Sequence, residues 1–217
     1  MSIGKENEIK LKVTPSDIAR IEKRIDELSD DSYAMLDDRR FETNILYDNP
    51  KLNLRKEDTV LRLRVMQPLG KATTKVDSSK GATAELTCKG AALRDGGFSS
   101  REEVNVKLEG YEIKKFQDVL TMLGFEATFC YEKRRTSYYL VLHGTNIEID
   151  EVPFLGHFVE IEGKDRASID AVIKEFGLEH CEEATAAYPA LLREALRSSG
   201  LTETQARFAP PPMPIEG

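Results

Sequence analysis

Apolar and charged residues alternate along the first strand-like stretch of the chain. The charged positions are Glu6, Glu8 and Lys10, and the apolar positions are Ile9, Leu11 and Val13. Successive side chains of a β-strand point to opposite faces of the strand. The stretch is therefore predicted to form a strand with one ionic face and one buried face.

The same alternation recurs along the chain with charges of both signs. The recurring pairs are Arg62 and Arg64, Glu85 and Lys89, Arg101 and Glu103, Lys133 and Arg135, Glu148 and Asp150, and Glu160 and Glu162. For any single pair, an ordinary antiparallel strand with its polar face in water is an open interpretation. Two like charges about 4 Å apart repel by about 4 kcal/mol at an effective dielectric constant near 20. The repetition therefore favours a shared, enclosed site in which opposite charges, metal ions or an anionic ligand offset this repulsion.

Periodicity and turn signals predict seven further strands and four helices. The strands are expected near residues 41–48, 60–66, 84–89, 102–108, 131–142, 146–152 and 158–163. One helix should follow the capping signal that runs from Thr14 to Asp17, and the others are expected over residues 112–123, 168–176 and 188–196. Gly144 offers the positive φ angle that a hairpin turn needs.

A sheet of this kind has one ionic face and one apolar face. By closing into a barrel it encloses the ionic face, while amphipathic helices cover the apolar face. We therefore predict an α+β fold: a closed or nearly closed eight-stranded antiparallel β-barrel, or tunnel, with a polar interior and flanking amphipathic helices. Outer-membrane barrels share the alternation but lack interspersed amphipathic helices. One domain is expected over residues 1–197, and a Pro-rich, flexible extension over residues 198–217.

The segment over residues 67–83 combines glycine, serine and threonine with three lysines. This composition is typical of a disordered connection. A basic flap that closes over a bound anion is the functional alternative.

Several short motifs occur in the order in which one protein family carries them. They are Glu6-x-Glu8-x-Lys10, Tyr47-Asp48, Leu61-Arg62-Leu63-Arg64, Leu86-Thr87-Cys88-Lys89-Gly90, Arg101-Glu102-Glu103, Lys133-Arg134-Arg135, residues 150–156, and Glu160-Ile161-Glu162. In this combination the chain resembles the CYTH domain proteins, also called triphosphate tunnel metalloenzymes, over roughly residues 4–193. Each motif alone is weak, whereas the ordered set is specific.

The resemblance implies a role for each charged position. Catalytic roles fall to Glu6, Glu8, Lys10, Lys89, Asp150 and Glu160; phosphate binding falls to Lys10, Arg62, Arg64, Lys89, Arg101, Lys133 and Arg135; and metal binding falls to Glu6, Glu8, Asp150, Glu160 and Glu162. The implied cofactor is Mg²⁺ or Mn²⁺, hard cations that prefer oxygen ligands. Glu85, Glu103 and Glu148 are expected to be partners of the basic residues. Tyr47 and Tyr188 either pack or contact a bound base or ribose.

Composition narrows the classes of partner and the location. The formal net charge of −7 disfavours nucleic acid and anionic membranes as partners. The N-terminal residues lack the apolar run of a secretion signal, so a cytoplasmic location is expected. Three widely spaced cysteines predict reduced thiols, and three scattered histidines argue against a zinc centre. The expected partner is a small molecule that carries a triphosphate, and a homodimer is among the oligomeric states that the sequence leaves open.

Three functions are compatible with these features. The favoured one is a metal-dependent hydrolase of inorganic tripolyphosphate or of a small organic triphosphate such as thiamine triphosphate. A class IV adenylyl cyclase, which converts ATP to cyclic AMP and pyrophosphate, would use the same grip on the phosphates. A non-catalytic binder of polyphosphate or nucleotides would keep the basic residues without needing the carboxylates.

Overall fold

A computed structural model describes residues 4–28, 33–70, 81–95 and 98–208. The strands are β1 (Gly4–Val13), β2 (Tyr33–Asp48), β3 (Val60–Pro68), β4 (Thr83–Lys89), β5 (Leu93–Asp95), β6 (Phe98–Glu109), β7 (Glu126–Leu140), β8 (Thr145–Val152), β9 (Gly156–Glu162), β10 (Glu182–Glu183) and β11 (Gln205–Ala206). The helices are α1 (Pro15–Glu27), α2 (Asn53–Lys56), α3 (Ile113–Met122), α4 (Arg166–Glu175) and α5 (Tyr188–Ser198).

Eight antiparallel strands close into a barrel. Their order is β1, β9, β8, β7, β2, β3, β4 and β6, and β1 pairs with both β9 and β6 to complete the ring. These are the eight strands that the alternation predicts, so the α+β barrel is confirmed. Closure leaves no open edge between the first and last strands of the ring.

The outer face of the barrel carries the main hydrophobic core. Ile9, Leu11 and Val13 of β1 are buried against Ile21 and Ile25 of α1. Helix α4 joins this cluster, and α3 packs on the outward residues of β3, β4 and β6. The apolar positions of the alternation are therefore covered by amphipathic helices, as predicted.

Helix α5 differs from the other amphipathic helices because it packs on residues that share the inward parity. Tyr188 and Leu192 contact a cluster that includes Phe129 and Phe158. Cross-strand pairing places Phe129 on the same face as Lys133, and Phe158 shares the parity of Glu160. One end of the barrel interior, called the bore below, is thus apolar, and α5 covers it. This helix packs at the end of the barrel because the interior side chains change from ionic to apolar there.

Local signals place the element ends. Thr14 caps α1, and Asp17 completes the capping box by accepting a hydrogen bond from the Thr14 amide at 2.8 Å. Gly144 has a φ of +60° in the β7–β8 hairpin. The loop over residues 67–83 begins and ends in strand, since β3 reaches Pro68 and β4 starts at Thr83. Residues 71–80 of the predicted flap lie outside the described residues, as do the Pro-rich residues 209–217.

The start of the predicted C-terminal extension is ordered. Strand β11 pairs in parallel with Cys130 and Tyr131 of β7, and Ala206 is fully buried. Strand β8 pairs only with the part of β7 that begins at Arg134, so β11 covers an edge that β8 leaves open. Residues 205–206 of the predicted extension are therefore part of the sheet.

Candidate active site

Every strand of the barrel contributes to a central cavity of about 80 Å³. Eleven of the twelve predicted site residues line it: Glu6, Glu8, Lys10, Arg62, Arg64, Lys89, Arg101, Lys133, Arg135, Glu160 and Glu162. The twelfth, Asp150, does not reach the cavity. Residues that are up to 156 positions apart in sequence are thus brought into one enclosed space.

Strand register determines which charges face one another. Lys10 lies opposite Glu160, and their side chains form an ion pair at 3.1 Å. Glu6 lies opposite Arg101 and also accepts a hydrogen bond from Lys89 Nζ at 2.6 Å. Burial alone would lower the pKa of Lys10, but the nearby carboxylates, above all Glu160, outweigh it and raise this pKa. Lys10 is therefore held as a cation inside the barrel.

Asp150 is fully buried and saturated with partners. Arg135 donates to both of its oxygens, at 2.6 and 2.5 Å, Lys133 donates at 3.1 Å, and the hydroxyl of Tyr188 donates at 2.8 Å. Three of these bonds fall on Oδ2, and Oδ1 accepts from Arg135, so both oxygens are engaged by the protein's own donors. Asp150 consequently positions Arg135 and Lys133 in the arrangement that the structure shows.

Arg62 differs from the other basic residues of the cavity. It is buried, its Nη2 donates to Thr87 Oγ1 at 3.3 Å, and its Nε finds no hydrogen-bond partner among the described residues. No carboxylate among the described residues forms an ion pair with it. Burial, followed by the neighbouring charge of Arg64, lowers the pKa of Arg62. An uncompensated guanidinium inside the barrel is a site for an anion.

Two carboxylates have few cationic partners to balance their negative charge. Glu8 lies directly opposite Glu162, and its one cationic partner among the described residues is Arg101, at 3.6 Å. Burial, followed by the charge of Glu160, raises the pKa of Glu8. Burial, together with Glu148 and Glu6, raises the pKa of Glu162 to about 7. Two like charges directly across a strand pair are destabilising unless a cation lies between them.

The donor set of these carboxylates fits a hard divalent cation. Oxygen ligands are those that Mg²⁺ and Mn²⁺ prefer. Glu8 and Glu162 have few cationic partners, whereas Glu160 is paired with Lys10 and Arg135. The raised pKa values of Glu8 and Glu162 reflect burial first and then repulsion from neighbouring carboxylates, and a bound cation would offset both.

Sequence reasoning missed four residues of the interior. Glu42 is fully buried and contacts Arg40 at 2.8 Å, Lys133 at 3.5 Å and Arg64 at 3.6 Å. Asn44 is fully buried, and within the described part of the chain both polar atoms of its side chain lack a hydrogen-bond partner. The inward parity of β2 could have identified both residues. Arg40 was missed because the predicted strand began only at residue 41.

Tyr188 is the fourth missed contributor, since the sequence left its role open. Its hydroxyl contacts Asp150, and Lys10 Nζ lies 4.2 Å from its ring centroid. Tyr47 instead packs in the outer core beneath α3. The three carboxylates expected to be partners of basic residues lie in the interior: Glu103 contacts Lys89 at 2.7 Å, Glu148 contacts Arg40 at 3.6 Å, and Glu85 lies across from Arg64.

The central cavity continues into a larger cavity at each end. Towards α5, a cavity of about 160 Å³ shares Leu46, Val60, Ala187 and Pro189 with the centre, and Arg55 and Arg193 border it. Towards the other end, a cavity of about 270 Å³ adds Glu85, Glu103 and Asn105 to the shared wall. Burial would raise the pKa of Glu103, but Lys89 outweighs it and lowers this pKa to about 2. The bore therefore combines apolar side chains with two arginines and two aspartates at one end, and is mostly acidic at the other.

The model of the CYTH domain family matches residues 4–200. The chain belongs to the CYTH domain family. No curated protein sequence matches it. Its fold resembles that of PH1819 from Pyrococcus horikoshii, with 24% identity, a TM-score of 0.66 and coverage of 87% of this chain and 98% of the other.

Two further solved structures share the fold of this CYTH domain. A Vibrio parahaemolyticus protein described as a candidate adenylate cyclase has 18% identity, a TM-score of 0.62 and coverage of 89% and 99% of the two chains. The Hippeastrum protein HpAC1, a candidate adenylyl cyclase with a dominant triphosphatase activity, has 17% identity, a TM-score of 0.61 and coverage of 97% and 99%. Within the described part of this CYTH domain, every helix is too short or too polar to cross a bilayer.

Proposed function

We propose that this CYTH domain is a divalent-metal-dependent triphosphatase that hydrolyses inorganic tripolyphosphate or a small organic triphosphate bound in the bore. The observation that carries the proposal is Arg62, a buried guanidinium that the described carboxylates leave without an ion pair. Its planar fork suits a phosphoryl group because it can donate two parallel hydrogen bonds to two oxygens. A triphosphate would supply the missing negative charge.

The other basic residues line the cavity and would bind the remaining phosphoryl oxygens. Arg64 lies beside Arg62 on β3, and Lys10, Lys89, Arg101, Lys133 and Arg135 line the same space. The carboxylates Glu42 and Asp150 hold Lys133 and Arg135 from behind, so both cations are oriented before substrate arrives. Such preorganisation favours catalysis because the cations need not reorganise as charge shifts to the leaving oxygen.

The proposed metal ligands are Glu6, Glu8, Glu160 and Glu162, whereas Asp150, which the resemblance also assigns to the metal, does not reach the cavity. Among them, Glu8 and Glu162 would form the centre of the site, because they have the fewest cationic partners. A bound Mg²⁺ or Mn²⁺ neutralises phosphoryl oxygens and lowers the pKa of a bound water. Asp150 would contribute by holding Arg135 and Lys133, since both of its oxygens already accept hydrogen bonds from these cations.

In the proposed reaction a water oxygen attacks the terminal phosphorus, and the bridging P–O bond breaks. The products from tripolyphosphate are orthophosphate and pyrophosphate. The charge that develops on the leaving pyrophosphate would be stabilised by the neighbouring lysines and arginines. The bore encloses this step, which strengthens each electrostatic interaction by excluding bulk water.

The cavity beside α5 could accept an organic group attached to the triphosphate. Its wall includes the apolar side chains of Leu46, Val60 and Pro189. Arg193 and Arg55 lie close enough for Arg55 to contribute to the lowered pKa of Arg193, after the larger effect of burial. Asp48 and Asp58 line the same cavity, so the formal charges of its wall balance and do not select the charge of the organic group.

One assay separates the candidate activities. Purified protein with Mg²⁺ or Mn²⁺ is offered tripolyphosphate, thiamine triphosphate and ATP, while orthophosphate, pyrophosphate and cyclic AMP are all quantified. Orthophosphate release that requires the metal and is lost in Glu8→Gln supports the proposal. Cyclic AMP with pyrophosphate from ATP would replace it with the cyclase activity, and tight binding without turnover would replace it with the binder.

A further inference from the structure

Three side chains with metal-binding atoms meet outside the barrel, where α1 begins. They are Asp17 in the first turn of α1 and His180 and Cys181 in the segment between α4 and α5. His180 Nε2 lies 3.1 Å from Asp17 Oδ1 and 3.6 Å from Cys181 Sγ. All three donor atoms lie within 4.8 Å of one another.

The two separations from His180 Nε2 are close to the edges of a tetrahedral zinc site. Bonds of about 2.3 Å to sulfur and about 2.0–2.2 Å to nitrogen and oxygen put neighbouring ligand atoms about 3.4–3.6 Å apart. The sulfur–nitrogen separation already has this value, and the nitrogen–oxygen separation requires a shift of a few tenths of an ångström. The set of one thiolate, one imidazole and one carboxylate suits Zn²⁺ and not the hard cations proposed for the bore.

The two carboxylate oxygens of Asp17 have different roles: Oδ2 caps helix α1, and Oδ1 faces the candidate metal position. Oδ2 accepts from the amide and hydroxyl of Thr14 and so completes the helix cap. Oδ1 faces His180 and also contacts Arg20 at 2.5 Å. The Arg20 side chain is 48% exposed and can turn into solvent. A cation can therefore take the place of Arg20 at Oδ1 without removing the cap.

We propose that Asp17, His180 and Cys181 form a three-residue Zn²⁺ site with a fourth position open to water. The sequence disfavoured a zinc centre because its histidines are scattered, but the fold brings an adjacent His–Cys pair against a residue 163 positions away. The site is separate from the bore, since its residues belong to α1 and to the segment after α4 on the outer face. It would fasten that segment to α1.

Cobalt titration tests the site because Co²⁺ reports its own ligands. Thiolate ligation gives an intense charge-transfer absorption in the near ultraviolet, and tetrahedral geometry gives stronger visible bands than octahedral oxygen ligation. Co²⁺ in the carboxylate-lined bore produces neither signal. We expect one equivalent of Co²⁺ to give both signals in the reduced full-length protein, and one equivalent of Zn²⁺ to abolish them.

Variants assign the signal to the three residues. Cys181→Ser should remove the charge-transfer band. His180→Gln should weaken Zn²⁺ binding by about 100-fold or more, because loss of a direct ligand costs at least as much as loss of a residue that hydrogen-bonds to a ligand. Cys130→Ser is the matched control, since Cys130 is also half-buried and free, and it should leave both signals unchanged. Arg20→Gln should tighten Zn²⁺ binding about two- to fivefold, because it removes the competing ion pair.

Two results would overturn the proposal. One is a wild-type protein that gives no charge-transfer band at a Co²⁺ excess, which would leave the His180–Asp17 contact as a hydrogen bond alone. The other is a band that survives in Cys181→Ser and disappears in Cys130→Ser. Circular dichroism of each variant identifies any loss of folding, and His180→Gln provides a second test at a side chain that is 57% exposed.

Discussion

Replacing Arg62 by methionine should stabilise the ligand-free protein while weakening its hold on a triphosphate. Methionine keeps much of the length of the side chain but removes the guanidinium that is buried without an ion pair. A residue that is retained although it destabilises the empty protein has its benefit in the bound state. The two opposite effects in one variant distinguish a ligand-binding residue from a structural one.

The magnitudes follow from the environment of the guanidinium. A buried polar group without a partner costs about 1–3 kcal/mol. Relief of about 2 kcal/mol would raise the melting temperature by about 4–8 °C in a domain of this size. In the complex, loss of two charge-assisted hydrogen bonds removes about 3 kcal/mol or more, which weakens binding about 100-fold.

Thermal unfolding with and without tripolyphosphate, together with calorimetric titration, measures both quantities. The titrations are performed with Mg²⁺ on the Glu8→Gln background, which we expect to lack turnover. Arg134→Met is the control, because Arg134 occupies the outer face of β7 beside Lys133 and pairs with Glu151 at 2.9 Å. It should lower stability, because it removes this pair and the stacking of Arg134 on the Phe208 ring at 3.8 Å, and it should leave binding unchanged. A lower melting temperature in Arg62→Met with unchanged affinity would refute the reasoning.

Three more predictions concern the interior. In metal-free protein the raised pKa of Glu162, about 7, means that the folded state binds more protons than the unfolded state between pH 4.5 and 7. Stability from this group should therefore fall as pH rises through that window, by up to about 3 kcal/mol, and denaturant unfolding of Glu162→Gln should lack this part of the decline. Asn44→Leu should raise the unfolding free energy of the empty protein by about 1–3 kcal/mol, because both amide atoms are buried without partners; destabilisation in calorimetry would show that ordered water satisfies them. Asp150→Asn should destabilise by about 3–5 kcal/mol, because Arg135 and Lys133 lose their buried partner, whereas Glu8→Gln should not destabilise. Equal losses in urea unfolding of these two variants would contradict the distinction.

The barrel was predictable because its alternation is local information. Each of the eight strands shows a period of two over at least four residues, and closure follows from having one ionic and one apolar face. Strands β5, β10 and β11 were not predictable in this way. Two or three residues are too few to display a period, and these strands form only where another edge is already in place.

The position of α5 could not be read from its own sequence. Its apolar stripe resembles those of α1 and α4, and such a stripe shows only that one face is buried, not against which surface. The deciding feature lies in β7 and β9, where inward positions change from Lys133 and Glu160 to Phe129 and Phe158. A sequence-based argument that followed the inward parity to the strand ends would have found an apolar end to the bore.

The pairing of charges inside the bore was the least predictable feature. Glu8, Glu160 and Asp150 look alike in sequence, yet Asp150 accepts four hydrogen bonds while Glu8 has one distant cationic partner among the described residues. Parity gives the face on which a side chain lies. It does not give the neighbour across the barrel, because that depends on the stagger of eight strands.

This pairing explains why metal and substrate should depend on each other. Seven cationic and seven carboxylate side chains, all among the described residues, line the central cavity and the cavity at its acidic end. A wall with balanced charge gives little net attraction to a polyanion, and local attraction at Arg62 is opposed by the carboxylates nearby. Divalent cations bound at Glu8 and Glu162 would make the net charge of the wall positive. They would also remove the repulsion between these carboxylates and the triphosphate. Triphosphate affinity should therefore rise steeply with metal concentration, and linkage requires that triphosphate tighten metal binding by the same factor.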